Sequence, residues 1–133
     1  MKALVLVAHG SRRKQSNEEV ITLAQKLKLH CQQQYSIVHP GFLELASPSI
    51  PEGIQLCIND GATEVTVLPY FLNSGRHVVE DIPLLVEQAR QTNPRADIRI
   101  AQHLGASELM LELLINSAGV ITRTSGSREL RGQ

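Results

Sequence analysis

Aromatic residues are scarce in this chain: they make up 3% of its 133 residues, and tryptophan is absent. Proteins that bind single-stranded nucleic acid usually stack bases on aromatic rings, so the composition disfavours that class. An excess of one charge is also lacking, because 13 basic residues balance 13 acidic ones. Without a net charge, the chain has no overall field that would attract DNA, RNA or an anionic membrane. We therefore expect neither a nucleic acid nor a membrane as a partner.

Cysteine is scarce as well, and the two that occur, Cys31 and Cys57, form no Cys-x-x-Cys pair. This spacing disfavours a structural zinc site and a disulfide framework. The apolar stretch at residues 3–8 is too short to cross a bilayer, and the first residues lack the long apolar region of a signal peptide. We expect a cytoplasmic protein whose thiols are reduced.

The rest of the composition is that of a globular protein, with 42% hydrophobic and 20% charged residues. A chain of this length suffices for one domain with one core. We expect that domain to span residues 1–121. The segment 122–133 has no apolar periodicity, and we expect it to be a disordered polar tail.

Apolar spacing predicts four strands that alternate with four helices. Residues 3–8 are apolar throughout, a pattern typical of a strand that is buried on both faces of a parallel sheet. The other predicted strands are 37–43, 64–70 and 97–101. Pro40 cannot donate a ladder hydrogen bond, so we place the second strand at a sheet edge. The alternation predicts an α/β three-layer sandwich, with a four-stranded parallel sheet between helices on both faces.

Helix boundaries are predicted from apolar periodicity and from capping residues. The first helix is expected over about 17–33. The second is expected to begin after Ser47 as N-cap, with Pro48 at the first helical position. The third follows a loop at 71–77 and carries Pro83 in its first turn, where proline is tolerated. The fourth is expected to be capped by Ser107.

Several chemically active side chains follow the ends of the predicted strands. In open parallel sheets, ligands bind beyond the carboxyl ends of the strands, so these loops form the candidate site. Three of the five histidines fall there, namely His9, His77 and His103, and Glu44 follows the second strand. Two imidazoles and a carboxylate suit a borderline divalent metal such as cobalt or iron. Histidine can also accept a proton near neutral pH.

Cationic side chains lie in the same loops, although the chain as a whole is neutral. Arginine and lysine there can receive carboxylates or phosphates. The residues concerned are Arg12, Arg13, Lys14 and Arg76. Taken alone, the residues indicate anion binding combined with proton or metal chemistry, and they name no reaction.

Five segments of the sequence carry a resemblance to a known family. They are Val7-Ala8-His9-Gly10-Ser11-Arg12, Gly41-Phe42-Leu43-Glu44, Pro69-Tyr70-Phe71-Leu72, Gly75-Arg76-His77 and Glu80-Asp81-Ile82-Pro83. In this order, the segments resemble the class II tetrapyrrole chelatases. The closest resemblance is to the short, single-domain CbiX-type sirohydrochlorin cobaltochelatases and ferrochelatases. It covers almost all of the chain before the polar tail.

The resemblance implies a chelatase-like, flavodoxin-like fold and a lyase activity. The reaction would insert Co²⁺ or Fe²⁺, with Ni²⁺ as a further candidate, into sirohydrochlorin for cobalamin or siroheme biosynthesis. The metal is then a substrate, and no permanently bound cofactor is expected. The resemblance also implies a homodimer whose two copies correspond to the two halves of longer chelatases, with the macrocycle in a cleft beyond the strand ends.

The resemblance also assigns roles to individual residues. It implies that His9 and His77 are catalytic and that both, together with Glu44, hold the metal. The residues expected to bind the macrocycle are Gly10, Ser11, Arg12, Ser74, Gly75 and Arg76. The polar pair Asn73-Ser74 departs from the small or apolar residues that many relatives have in this loop. The other histidines, including His103, are expected to be structural or solvated.

Two alternatives stay open at this point. A histidine phosphatase also has a histidine after its first strand, but that family has arginine before it, where this chain has Ala8. A protein with the chelatase fold could also bind a metal or a tetrapyrrole without turnover. A P-loop nucleotide-binding protein is excluded, because the sequence contains no GxxxxGK[ST] motif.

Overall fold

The computed structural model describes residues 1–120, except for the side chain of His77. The predicted polar tail at 122–133, and residue 121 before it, lie outside the described residues. Over the described residues, the chain forms one four-stranded parallel sheet with the strand order β2-β1-β3-β4. The strands are β1 (Lys2–Ala8), β2 (Ile37–Phe42), β3 (Glu64–Pro69) and β4 (Asp97–Ile100). The helices are α1 (Lys14–His30), α2 (Ile50–Asn59), α3 (Ile82–Thr92) and α4 (Met110–Ala118).

The central strand β1 is buried on both sides, as its continuous apolar run predicts. Every residue of β1 except Lys2 is buried. Ala3, Val5 and Val7 face one core, which they share with α2 and α3, whereas Leu4 and Leu6 face a second core that α1 covers. Helices therefore cover both faces of the sheet, and the predicted three-layer α/β sandwich is confirmed.

The second strand lies at a sheet edge, as Pro40 predicts. β2 pairs only with β1 among the described strands, and Pro40 lies opposite Leu6 in the register. An edge position tolerates the missing backbone N–H of proline. The register places Phe42 opposite Ala8, so both strands end at the same level of the sheet.

The predicted start of α2 is wrong by two residues. The N-cap is Ser49, not Ser47, and Pro51 rather than Pro48 lies in the first turn. Ser49 and Glu52 form a capping box, in which each side chain accepts a hydrogen bond from the other residue's backbone N–H. Pro48 is unavailable to the helix because its carbonyl accepts a hydrogen bond from Phe42 N–H at 2.8 Å.

The segment before α3 differs from the predicted loop and helix. A π-helix, His77–Asp81, directly precedes α3, so Pro83 lies in the first turn of α3 as predicted. π-Helical segments are rare and are frequent at functional sites. The loop after β3 is therefore 70–76, and His77 is the first residue of the π-helix.

The fourth helix begins later than its predicted cap. A 3₁₀ turn, Leu104–Ala106, follows β4, and Ser107 Oγ accepts a hydrogen bond from Leu109 N–H at 3.2 Å. This local bond forms a turn instead of a cap, and α4 starts at Met110 without a side-chain cap. Within residues 1–120, no helix is both long and apolar enough to cross a membrane.

Candidate active site

The strand order places a crevice between the loops that follow β1 and β3. From β1 the chain moves to β2 on one side of the sheet, and later to β3 and β4 on the other side. In open α/β sheets, ligands bind at such a switch point, beyond the carboxyl ends of the strands. The loop after β1 begins with His9, and the loop after β3 leads to His77. The topology thus brings both segments to the same crevice.

His9 and Glu44 form a direct contact at this edge. His9 Nε2 lies 2.9 Å from Glu44 Oε2, and both side chains are about half exposed to solvent. The register explains the contact, because the ladder between β1 and β2 continues past the ends of both strands. Leu43 N–H donates to Ala8 O and Glu44 N–H donates to His9 O, each at 3.0 Å. The candidate histidine is therefore held by a carboxylate from the neighbouring edge strand.

Gly10 has a structural reason for being glycine. Its φ is 93°, a conformation that residues with a Cβ rarely adopt. A Cβ at this position would also collide with the backbone carbonyl of Glu44. Gly10 therefore allows the close approach that carries Glu44 to His9, and its contact with substrate stays a prediction.

The next residues of the same loop are fixed to the start of α1. Ser11 N–H donates to Asn17 Oδ1 at 2.9 Å, and Asn17 Nδ2 donates to Ser11 O at 2.7 Å. Ser11 Oγ accepts a hydrogen bond from Arg13 N–H at 3.0 Å. These bonds order the backbone that follows His9, so contacts within the chain define the conformation of this loop.

The loop after β3 is more exposed than the loop after β1. Four of its residues, Asn73, Ser74, Gly75 and Arg76, are exposed. A Cβ at Gly75 would meet no neighbouring atom, so nothing within the described chain requires glycine there. The Gly75 carbonyl accepts hydrogen bonds from the backbone N–H groups of Val78 and Val79, which connects the loop to the π-helix.

The cationic side chains of the loops after β1 and β3 are open to solvent. Arg12, Arg13 and Lys14 are exposed. Arg13 donates to Gln15 Oε1 at 3.1 Å, and Arg76 Nε lies 3.5 Å from Glu80 Oε2 in a pair that is open to solvent. Exposed pairs of this kind contribute little to stability. Both arginines can therefore be redirected to an anionic ligand at small cost.

The structure adds one carboxylate, Asp81, that belongs to one of the five resemblance segments but had no role assigned to it. Asp81 lines a cavity of about 370 Å³ together with Glu44, Leu84 and Leu85. The signal in the sequence was its place in the segment Glu80-Asp81-Ile82-Pro83, at the start of the third helix.

The other three histidines, His30, His39 and His103, take no part in the contact between His9 and Glu44. His39 Nε2 lies 2.7 Å from Asp60 Oδ2, which ties β2 to the end of α2. His30 is exposed on α1, and its Nδ1 lies 2.9 Å from Lys26 O. His103 is half-buried beside the 3₁₀ turn.

The proposed metal ligands are His9, Glu44 and His77. Among the described side chains, which do not include that of His77, no group of three histidine, cysteine or acidic residues could hold a metal ion. The contact between His9 and Glu44 accounts for one part of the proposed set. The complete set stays a prediction.

Comparison with known proteins decides the family. Residues 3–119 match the family model of CbiX. The chain belongs to the CbiX family. The chloroplastic sirohydrochlorin ferrochelatase of Arabidopsis thaliana is 38% identical over 84% of this chain and 48% of its own length. The sirohydrochlorin cobaltochelatase of Sulfolobus acidocaldarius is 34% identical over 89% of this chain and 90% of its own length.

Solved structures of CbiX-type proteins share the fold. The sirohydrochlorin chelatase SirB from Bacillus subtilis subspecies spizizenii, in complex with cobalt, has a TM-score of 0.79 at 28% identity over 89% of this chain and 50% of SirB. The CbiX protein from Marinobacter aquaeolei VT8 has a TM-score of 0.70 at 27% identity over 90% of this chain and 94% of that protein. The chain therefore spans about half the length of the Arabidopsis enzyme and of SirB. The resemblance inferred from the five sequence segments is confirmed.

Proposed function

We propose that this CbiX-family protein inserts a divalent metal ion into sirohydrochlorin. The observation that carries the proposal is the 2.9 Å contact between His9 and Glu44 at the switch point of the sheet. The relatives support the same reaction, since they include both a sirohydrochlorin ferrochelatase and a sirohydrochlorin cobaltochelatase. A histidine phosphatase is disfavoured by the family match.

The chemistry needs a base and a weak metal site. Metal insertion removes two protons from pyrrole nitrogens; a neutral imidazole at His9 can accept one of them, and a neutral imidazole at His77 would accept the other. The Glu44 carboxylate orients the ring and stabilises the imidazolium that forms. With His77 as the second histidine, the three side chains would hold the ion without closing a four-ligand cage, so the ion can be released to the macrocycle.

The metal is a substrate in this proposal, and no resident cofactor is required. Imidazole and carboxylate ligands accept Co²⁺, Fe²⁺ and Ni²⁺, so the ligand set does not choose among them. Cobalt and iron are supported by the names of the relatives. Cobalt would lead towards cobalamin and iron towards siroheme. We expect the reaction in the cytoplasm.

The exposed cationic side chains suit a substrate that carries many carboxylates. Arg12 and Arg76 would pair with peripheral carboxylates of the macrocycle, since guanidinium groups bind carboxylates in a bidentate manner. Ser11 and Ser74 would add hydrogen bonds. Gly75 would let the backbone approach the ring, because a ligand could occupy the space that a Cβ would fill.

A homodimer completes the proposal. α4 buries none of its residues within the described chain, although it carries Leu111, Leu113, Leu114 and Ile115. It lies beside the 3₁₀ turn after β4, at the same edge of the sheet as the candidate site. A second copy packed on α4 would bury this apolar surface and supply the opposite wall of a cleft. Twofold symmetry is the commonest arrangement for such an assembly.

The deciding experiment is a chelation assay with purified protein, sirohydrochlorin and Co²⁺, Fe²⁺ or Ni²⁺ in parallel. His9→Ala and His77→Ala should each lower the rate by at least about a hundredfold, the usual loss when a general base is removed. His30→Ala, at an exposed position on α1, is the matched control and should keep the wild-type rate. Binding of metal or macrocycle without turnover would indicate a non-catalytic binding protein, and full activity in the His9→Ala, His77→Ala double variant would refute the assignment.

A further inference from the structure

Leu45 combines two features that the folding of the chain does not explain. Its φ is 65°, and among the described residues it is the one non-glycine residue with a positive φ. A leucine in this conformation is strained, because its Cβ approaches the following carbonyl oxygen. Leu45 is 55% exposed, so packing within the chain offsets little of that strain.

The loop geometry explains why a left-handed residue is needed, but not why it is leucine. Glu44 N–H still continues the ladder by donating to His9 O, and Phe42 N–H donates to Pro48 O, so the chain must reverse between these points. Glycine or asparagine takes a left-handed conformation more readily than leucine. The leucine side chain therefore needs a reason outside the turn itself.

The position of Leu45 supplies that reason. It directly follows Glu44, whose carboxylate contacts His9. Strained residues that the surrounding structure holds in place cluster at active sites and ligand clamps. Other exposed apolar side chains border the same edge of the sheet, and they are Tyr70, Leu72, Val79 and Leu84.

The backbone connects these apolar residues to the candidate site. Tyr70 N–H donates to Val7 O at 2.7 Å, next to the strand end that carries His9. Leu84 lines the same cavity as Glu44. Exposed apolar side chains therefore lie at the same edge of the sheet as the His9–Glu44 contact, and the cations Arg12 and Arg76 are also exposed in the loops of this edge. A ligand with a flat apolar face and an anionic periphery fits this distribution.

We propose that Leu45 is a substrate-binding residue that packs against a face of the macrocycle beside the His9–Glu44 contact. This inference rests on the proposed function, because it takes sirohydrochlorin as the ligand. The left-handed backbone holds the Leu45 side chain at the tip of the loop, while the carboxylate of Glu44 keeps its contact with His9. Leu45 thereby binds the ring without taking part in proton transfer or metal binding.

The test separates the side chain from the turn. Leu45→Gly and Leu45→Asn keep the left-handed turn and remove the apolar side chain, whereas Leu45→Ala removes it and keeps a Cβ. Each should raise KM for sirohydrochlorin, and the Kd measured by absorbance titration without metal, about tenfold, as expected for the loss of a buried leucine side chain. The value of kcat should stay at the wild-type level. Leu45→Met, which conserves volume and apolarity, should restore tight binding.

A purely structural role predicts the opposite order. The Leu45→Gly and Leu45→Asn variants would then bind sirohydrochlorin as tightly as the wild-type protein or more tightly, and that result would overturn the inference. Leu29→Ala is the matched control, because Leu29 is 70% exposed on α1, away from the site. If wild-type protein binds sirohydrochlorin but does not insert metal, the chelatase proposal fails and the Kd comparison still decides the role of Leu45. If wild-type protein does not bind sirohydrochlorin, both are refuted.

Discussion

Helices α2 and α4 are similar in length and both are apolar, but the described chain packs against only one of them. α2 has 10 residues, a complete capping box and four buried residues. α4 has 9 residues, no side-chain cap and no buried residue. The difference shows that apolar content predicts a helix without predicting what covers it.

The two helices differ in where they meet the sheet. Ile50, Ile54 and Cys57 of α2 recur on one face and pack into the core with Val5 and Val65. α4 follows the 3₁₀ turn and lies beside that turn rather than on a sheet face. Burial of an apolar face supplies most of a helix's stability in a protein, since short isolated helices are marginal in water. We therefore expect α2 to be part of the folding unit and α4 to depend on an apolar partner.

The largest expected effect concerns the thiol on the buried face of α2. Burial, with a smaller contribution from Asp60, raises the pKa of Cys57 to about 12. The thiolate is the reactive form, and an ordinary thiol has a pKa of about 8.5, so Cys57 should be alkylated about a thousandfold more slowly than an exposed thiol. Iodoacetamide labelling followed by mass spectrometry measures this rate.

Cys31 is the internal reference for this measurement, because it is only half-buried. A Cys31→Ser variant should take up almost no label in its native state and one label after unfolding. Rapid native labelling of Cys57 would show that the buried face of α2 opens readily, and the contrast with α4 would then be lost.

The second effect concerns the exposed face of α4. Leu114 is 59% exposed, and Leu114→Asp would place two charges in an apolar interface between two copies, one from each. The dimer dissociation constant should rise by at least about a hundredfold, because a charge is costly to bury without a partner. Light scattering over a dilution series measures the change, and chelation should fall as the dimer is lost.

The control for this variant is Leu29→Asp, which adds the same charge at an exposed leucine of α1. It should leave both the mass and the chelation rate unchanged. Active wild-type monomers at working concentration would contradict the proposed dimer. If the Leu114→Asp variant keeps the mass of the wild-type dimer, α4 is not part of the dimer interface.

The strands were the part of the fold that the sequence predicted best. Their apolar runs reflect burial on one or both faces, and Pro40 correctly indicated an edge strand. The start of α2 was predicted wrongly because Ser47-Pro48 and Ser49-x-x-Glu52 both resemble helix starts. A hydrogen bond from Phe42 N–H, at the end of β2, to Pro48 O selects between them. The π-helix at His77–Asp81 has too few residues to leave a periodic signal.

The candidate site was predictable as a set of loops, but not as a set of contacts. Strand ends placed His9 and Glu44 at one edge of the sheet. Their contact depends on the register of β1 and β2 and on the close backbone approach at Gly10, neither of which is visible in the sequence. The left-handed turn at Leu45 was hidden for a different reason, since leucine gives no signal for that conformation.

The smallest expected effect concerns the capping box of α2, and it also tests the corrected helix start. Ser49→Ala should lower the free energy of unfolding by about 1 kcal/mol, the usual cost of losing a serine N-cap. Ser49 Oγ accepts a hydrogen bond from Glu52 N–H at 3.2 Å, and this bond is lost in the variant. Ser47→Ala, at the position that the sequence alone suggested as the cap, is the matched control and should change stability by no more than about 0.5 kcal/mol. Urea denaturation measures both values.

The pH dependence of the same capping box provides an independent check. The backbone N–H of Ser49, and to a lesser extent its hydroxyl, lower the pKa of Glu52. A carboxylate whose pKa is lowered in the folded state stabilises that state above its unfolded pKa, about 4.3 for glutamate, and loses this effect as pH falls through the folded value. Wild-type protein should therefore be more stable than Glu52→Gln at neutral pH, and the difference should shrink below about pH 4. A difference that stays constant down to pH 3 would mean that the Glu52 charge does not contribute, and α2 would then depend on its buried face alone.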